Sequence, residues 1–367
     1  MYGRSRSLGL FNKLLSVEAV GVGVNAHLLH DRKLLLKYAR KVQMAAEDDE
    51  ICRELLTSPR AQVLLFHHQK PLLQNNLTSL MDISWQNLFS ILEDDDLRHS
   101  WKNISNSCVF LGYDSNDQPQ FASEMTCSQS QDQKSRIELK EEKERYGKKF
   151  DGIFVDLRTA GLRTSTGTLK QLKQAYSLLQ WNSSHRYSAR SGHEVKRKLS
   201  GHSKFCSQTN ETAYPNISSV AITLVTHEDH CLLARHTQFP PGMYSALAGF
   251  TAFGESAEDT VEREVAEEVN LSVTNIKYIS SQPWPFPSPS LMLGFHATLN
   301  TQISPFRHSI DVDHNELEDA RWYKRQDIQS AILTWSAKSQ LKSDFIVPPP
   351  FTIAHQLMKH WVNQQPT

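Results

Sequence analysis

The stretch that most restricts the fold of this chain runs from Gly249 to Leu271, and a helix is legible inside it. Ser256 is a good N-cap, Asp259 sits three residues further on, and Ala257 and Glu258 open the first turn. Ala257, Val261, Val265 and Val269 recur at every fourth position, giving one apolar stripe that must face a core. At 3.6 residues per turn, Glu264, Glu267 and Glu268 fall within roughly 100° of arc beside that stripe. Carboxylates crowded on one face repel each other and cost stability unless a cation offsets them. Oxygen ligands in such a cluster suit Mg²⁺ or Mn²⁺. A solvated acidic face is the other reading of such a run, and the three glutamates alone do not separate the two.

At 367 residues the chain can hold two domains, each with its own core. Its 40 basic and 40 acidic residues cancel, so no global field recruits nucleic acid or a membrane. Five dispersed cysteines (Cys52, Cys108, Cys127, Cys206 and Cys231) include no CxxC pair and fit a reducing compartment better than a disulfide framework. No apolar run approaches the ~18 residues of a membrane span, and no membrane partner is expected.

Residues 1–34 read as a mitochondrial transit peptide and a flexible segment, which predicts a mitochondrial location. Arg4, Arg6 and Lys13 alternate with Ser5, Ser7 and Ser16, no acid precedes Glu18, and Leu8, Leu10, Phe11, Leu14 and Leu15 can share a helix face. A disordered basic tail is the alternative. Residues 35–182 read as a separate α+β domain. Ala61–Phe66 and Cys108–Tyr113 are strand-like, Glu93–Asp96 is an acidic loop, and about 128–149 is expected as an exposed, mobile insertion. Leu169–Trp181 has the spacing of a core-facing helix.

Residues 183–215 have the layout of a two-knuckle zinc ribbon, but the ligand positions hold Ser188, Ser191, Cys206 and Thr209. One thiolate and three neutral hydroxyls cannot hold structural zinc, so a metal-free connector is expected and no zinc is predicted. From residue 216 to 362 the pattern changes. Val220–Val225 and Cys231–Arg235 form a hairpin, small residues Ala246, Ala248 and Gly249 lead into the acidic helix, and Leu291–Ala297 is another strand. Thr352–Val362 closes the domain as a helix burying Ile353, Leu357 and Trp361. Between them, Ser281–Pro287 spells SQPWPFP; its prolines fix φ and hold Trp284 and Phe286 as an aromatic surface on which a planar ring can stack.

The spacing over residues 249–271 resembles the Nudix box: Gly249, Glu255, Arg263, Glu264, Glu267, Glu268 and Leu271 all stand in register. Asn270 replaces the usual Gly just past the helix end, where it is the next-best occupant of a left-handed position. SQPWPFP matches the signature of the NADH pyrophosphatase (NudC-like) subfamily. Loss of the ribbon cysteines and the basic N-terminus are most similar to the animal mitochondrial NAD(P)H pyrophosphatase branch. The resemblance covers about residues 40–362.

It implies an α/β class: a Nudix α/β/α sandwich with a mixed sheet, preceded by the α+β domain and the ribbon-like connector. It also implies hydrolysis of the diphosphate of NAD(P)H to nicotinamide mononucleotide and AMP or 2′,5′-ADP. NAD-capped RNA is a second implied substrate, and a homodimer an implied assembly. Carried over by position, the metal ligands are the Ala248 carbonyl, Glu264, Glu268 and Glu316, with Glu267 as general base or further ligand. Arg263 orients the carboxylates through an ion pair with Glu255. Substrate contacts fall to Tyr214, Gln282, Pro283, Trp284, Pro285, Phe286, Pro287, Ser290 and Ala354. The loop carries an extra residue before Leu291, and Ser219 stands where Pro often precedes the first strand. Two other readings remain open: a diphosphatase for ADP-ribose or a coenzyme A species, and a non-catalytic dinucleotide-binding protein.

Overall fold

The computed structural model describes residues 32–81, 83–92, 107–125, 136–306, 310–336 and 345–364. Residues 1–31 of the expected transit peptide and flexible segment, the acidic loop at Glu93–Asp96 and residues 128–135 of the expected insertion lie outside them, whereas Arg32–Leu34 already belong to a helix. The chain divides after Pro215 into two compact units.

The N-terminal unit opens with helices α1 (Arg32–Glu47) and α2 (Asp49–Thr57), the latter capped by Asp48, whose carboxylate accepts from Glu50 N and Ile51 N. Strands β1 (Gln62–His67), β2 (Lys70–Gln74), β3 (Val109–Tyr113), β4 (Pro119–Glu124) and β5 (Gly152–Phe154) make one sheet in the order β3-β4-β1-β2-β5. Only β1 and β4 run parallel, and β1, buried on both faces, accordingly reads as an unbroken apolar run. Helices α3 (Trp85–Leu92), α4 (Arg136–Lys149), α5 (Leu157–Arg163) and α6 (Thr166–Ser184) complete the unit. Helix α4 corrects the expectation of an exposed insertion: Tyr146 and Phe150 beside it are buried in the core with Phe110, Phe121 and Phe154. Its composition is too polar to announce this, since two aromatic anchors carry the packing.

Strands β6 (Lys196–Arg197), β7 (Lys204–Cys206) and β8 (Glu211–Ala213) form the ribbon. Where a zinc ribbon has four ligands, Cys206 is a buried free thiol whose pKa the neighbouring Thr209 lowers, and the Thr209 hydroxyl donates to Glu211 Oε2 at 3.0 Å. Ser188 Oγ accepts from Arg190 N and Ser191 N, which closes the first knuckle.

The C-terminal unit is an α/β/α sandwich. Its mixed sheet runs β12 (Val273–Trp284), β13 (Ser290–Leu299), β9 (Ser218–His227), β10 (His230–Arg235) and β14 (Asp319–Lys324), and β11 (Leu247–Phe250) pairs with the first half of β9. Alternation along β9 assigns the faces. Ala221 and Val225 pack against helix α7 (Ala257–Val269), while Ile222 and Leu224 pack with residues of α8 (Arg325–Ser336) and α9 (Ile353–Val362). Helix α9 lies close on the sheet at Gly294, where a Cβ would come within 2.8 Å of Ile353 Cδ1. Cys231 is fully buried in this sheet, and burial pushes its thiol pKa far up, so it is inert. Among the described residues no helix is long and apolar enough to cross a membrane.

Candidate active site

Helix α7 is built as its sequence dictates. Ser256 Oγ accepts from Asp259 N at 3.1 Å and Asp259 Oδ2 accepts from Ser256 N at 2.8 Å, a reciprocal capping box. Val261, Val265 and Val269 are 0–1 % exposed; burying each contributes roughly 1.5–3 kcal/mol and locks the helix's rotation. Asn270 ends the helix at φ 54°, ψ 41°, with its N–H on Ala266 O, the left-handed position that the sequence assigns to it.

That rotation sets the glutamates. Glu264 lies against β11, and a Cβ added to Gly249 would sit 1.8–2.0 Å from the Glu264 carboxyl atoms, so only glycine fits there. Burial pushes the Glu264 pKa up, partly offset by the Arg263 guanidinium. Glu268 is 2 % exposed, and its Oε2 has no hydrogen-bond partner among the described residues. Burial, with the charges of Glu264, Glu316 and Glu267 added, pushes its pKa up to about 8.

Glu316 comes from a turn tied to the end of α7. Asp313 N donates to Glu268 O at 3.0 Å, Glu316 N and Leu317 N donate to Asp313 O, and Leu317 anchors the turn at 1 % exposure. Neither Asp313 nor its bond to Glu268 carries a sequence signal, because the donor is a backbone N–H.

Arg263 organises the cluster. Its Nε and Nη2 grip Glu255 at 2.5 and 3.0 Å, its Nη1 donates to Glu264 Oε1 and Glu267 Oε2 at 2.8 Å each, and Nη2 also reaches Phe250 O at 2.8 Å. Glu255 further accepts from Ala252 N and Thr260 Oγ1. With the Arg263 bonds first among the causes, its pKa falls to about 2, and the Arg263 pKa is raised in turn. Glu255 is thus a fixed strut. Glu267, whose side chain is 59 % exposed, is open to solvent, as is Glu316.

The donor set fits a hard divalent cation. It is all oxygen, neighbouring carboxylates add to the raised proton affinity of Glu264 and Glu268, and none of Arg263's hydrogen bonds goes to Glu268, whose buried oxygen is left orphaned among the described residues. Ala248 sits in β11 beside Gly249, paired in register with Ile222.

The SQPWPFP residues are partly strand. Gln282, Pro283 and Trp284 end β12, an edge strand, where a proline costs no ladder hydrogen bond on its open side. Gln282 is engaged structurally: its Nε2 donates to Phe351 O at 2.8 Å and its Oε1 accepts from Ile353 N at 3.0 Å, holding the first turn of α9. Trp284 and Phe286 pack edge to face, centroids 5.5 Å apart at 78°, rather than as one flat platform. Pro285 is buried and Pro287 exposed. Ser290 is buried, its hydroxyl donating to Ser288 O at 3.1 Å, and Ala354 is 4 % exposed in the core. Tyr214 belongs to the N-terminal unit and is exposed. Ser290 pairs with Ser218, and Thr251 N donates to Ser219 O, so the aromatic hairpin and the glutamate loop leave the same end of the sheet. Three strand spacings separate β11 from β12, roughly 14 Å.

Comparison with known proteins gives two domain matches: a NUDIX domain over residues 215–344, and an NADH pyrophosphatase-like rudimentary NUDIX domain over residues 60–181. The chain is 35 % identical to the mitochondrial NAD(P)H pyrophosphatase NUDT13 of Homo sapiens, over 91 % of this chain and 93 % of that protein. It is 30 % identical to the NAD-capped RNA hydrolase ndx-9 of Caenorhabditis elegans, over 88 % and 87 %. The human NAD-capped RNA hydrolase NUDT12 is 41 % identical over 53 % of this chain and 41 % of its own length.

Proposed function

Because this chain belongs to the Nudix hydrolase family, with both the catalytic-type domain and the rudimentary domain of NADH pyrophosphatases, we propose that it hydrolyses the diphosphate of NAD(P)H. Water attacks one phosphorus, the bridging P–O bond breaks, and the products are nicotinamide mononucleotide in its reduced form and AMP or 2′,5′-ADP. The observation that carries this reading is the orphaned, buried Glu268 carboxylate among Glu264 and Glu316, at the sheet end that also bears Trp284 and Phe286.

Glu264, Glu268, Glu316 and the Ala248 carbonyl would hold Mg²⁺ or Mn²⁺, which would supply neutralisation of the phosphate oxygens and a lowered pKa for the attacking water. Glu267, exposed and steadied by Arg263, accepts the water proton. Arg263 and Glu255 position the carboxylates rather than touch substrate. Trp284 and Phe286 offer one ring face and one edge to a base, flanked by Pro283, Pro285, Pro287 and Ser290, with Gln282 acting through the first turn of α9, which carries Ala354.

Likeness to proteins named NAD-capped RNA hydrolases supports cap removal as a second activity. The basic, Ser-rich first residues and the relative named mitochondrial support a mitochondrial location. Hydroxyl side chains at three of the four knuckle positions support a ribbon without metal; family resemblance supports a homodimer, which light scattering decides. The activity is tested by incubating the purified protein with NADH, NADPH, NAD⁺, ADP-ribose, a coenzyme A species and NAD-capped RNA in Mg²⁺ or Mn²⁺ and separating the products. The reading requires NADH or NADPH to be cleaved to two mononucleotides. It fails if only ADP-ribose or the coenzyme is cut, or if nothing is.

A further inference from the structure

We propose that His67, His68 and Glu142 in the N-terminal unit form a second metal site, one that takes a borderline divalent ion of the Zn²⁺ class. One ligand atom from each lies within 4.8 Å of the other two, and His67 Nε2 is 3.9 Å from Glu142 Oε2. A tetrahedral ion with bonds of ~2.0–2.1 Å separates its ligand atoms by roughly 3.3 Å, so side-chain rotations of about 1 Å close the set.

Neighbours along a strand normally point to opposite faces, and two adjacent histidines reach one point only if the backbone turns between them. It does. His68 and Gln69 adopt φ 49° and 62°, and the two imidazoles meet edge to face with centroids 4.6 Å apart. A left-handed conformation costs a non-glycine residue about 1 kcal/mol or more. The Glu124 carboxylate offsets that cost here by accepting from His68 N at 2.9 Å and Gln69 N at 3.0 Å. His68 thus stays fixed, and its buried Nε2 has no hydrogen-bond partner among the described residues. The carboxylate comes from α4, one turn before the buried Tyr146, whose hydroxyl lies 3.5 Å from Glu142 Oε1 and steadies the ligand from behind.

Two imidazoles and one carboxylate suit zinc and its neighbours, whereas Mg²⁺ prefers oxygen donors alone. The two sites on this chain therefore select different ions. A bound ion here ties α4 to the β1–β2 turn, a long-range link that the highly charged α4 otherwise makes through few apolar residues. It also revises the expectation of a zinc-free chain, which rests on the ribbon alone.

The test uses the full chain expressed without a polyhistidine tag, stripped with EDTA, re-equilibrated with Zn²⁺ and dialysed, with zinc measured by elemental analysis. Wild type and Cys206→Ser are expected to retain about one zinc per chain, and Glu142→Gln and His68→Asn to lose it. Asparagine tolerates the left-handed backbone at position 68 and is a poor zinc ligand. Melting temperatures in EDTA that match wild type show that the variants are folded. Should a variant not fold, Co²⁺ bound to wild type is expected to show d–d bands without thiolate charge transfer. No zinc on wild type, zinc retained by Glu142→Gln and His68→Asn, zinc lost from Cys206→Ser, or a thiolate band with Co²⁺ would each overturn the proposal.

Discussion

Replacing Glu268 by Gln should stabilise the metal-free protein at alkaline pH, and the size of the gain can be worked from its surroundings. Its carboxyl is 2 % exposed and its pKa is pushed from 4.5 to about 8 by burial and three neighbouring glutamates. Because the folded pKa lies above the unfolded one, this group's contribution to stability is fully present below pH ~4.5 and is lost as pH rises through about 8. A shift of about 3.5 units corresponds to ~5 kcal/mol at most. Water entry and shared protonation with Glu264 and Glu316 reduce that to roughly 2–3 kcal/mol. Glutamine keeps the shape and removes the charge, so that penalty disappears. In EDTA, thermal unfolding from pH 5 to pH 9 should show wild type losing roughly 5–10 °C more than Glu268→Gln for a unit of this size. Saturating Mg²⁺ should reverse the order at pH 8, since the cation binds the folded wild type and the variant lacks a ligand. Parallel melting curves in EDTA across that range would refute the claim that Glu268 is a buried carboxylate awaiting a cation.

Gly249→Ala forces its Cβ into the Glu264 carboxyl, so kcat/KM should fall about 100-fold or more while circular dichroism stays native; near-normal turnover would show that Glu264 can move without consequence. Glu267→Gln should lower kcat by roughly 10²–10⁴ without changing the melting temperature, because the side chain is mostly in solvent, and wild-type turnover removes it from the mechanism. Arg263→Lys keeps the charge but cannot bridge Glu255, Glu264, Glu267 and Phe250 O at once; kcat should drop and the apparent Mg²⁺ affinity weaken, which a metal titration of the rate reads directly. Asn270→Ala should cost about 1–2 kcal/mol in denaturant unfolding, against little or no loss for Asn270→Gly, since the position is left-handed.

Much of the C-terminal unit was legible because local chemistry and global packing agree there. Ser256, Asp259 and the valine stripe specify α7 without help from the rest of the chain, and the αL position of Asn270 follows from its place past the last turn. What was not legible depends on contacts between distant residues. Gln282 looks like a ligand-binding amide in sequence, but both ends of its side chain hold α9, about seventy residues further on. Helix α4 is masked by its charge, because two aromatic anchors outweigh a polar face. His67 and His68 read as two unremarkable residues until the left-handed turn and a glutamate 74 positions away from His68 bring them together.

The central claim is that this chain splits the diphosphate of a reduced nicotinamide dinucleotide with water, at the glutamates of α7. Hydrolysis of NADH in ¹⁸O-labelled water with Mg²⁺, followed by mass spectrometry, tests it most directly. The account predicts equal amounts of AMP and reduced nicotinamide mononucleotide, with a single ¹⁸O on the phosphate of one of them, and no turnover by Glu264→Gln. Intact NADH, or release of nicotinamide and ADP-ribose instead, would contradict it.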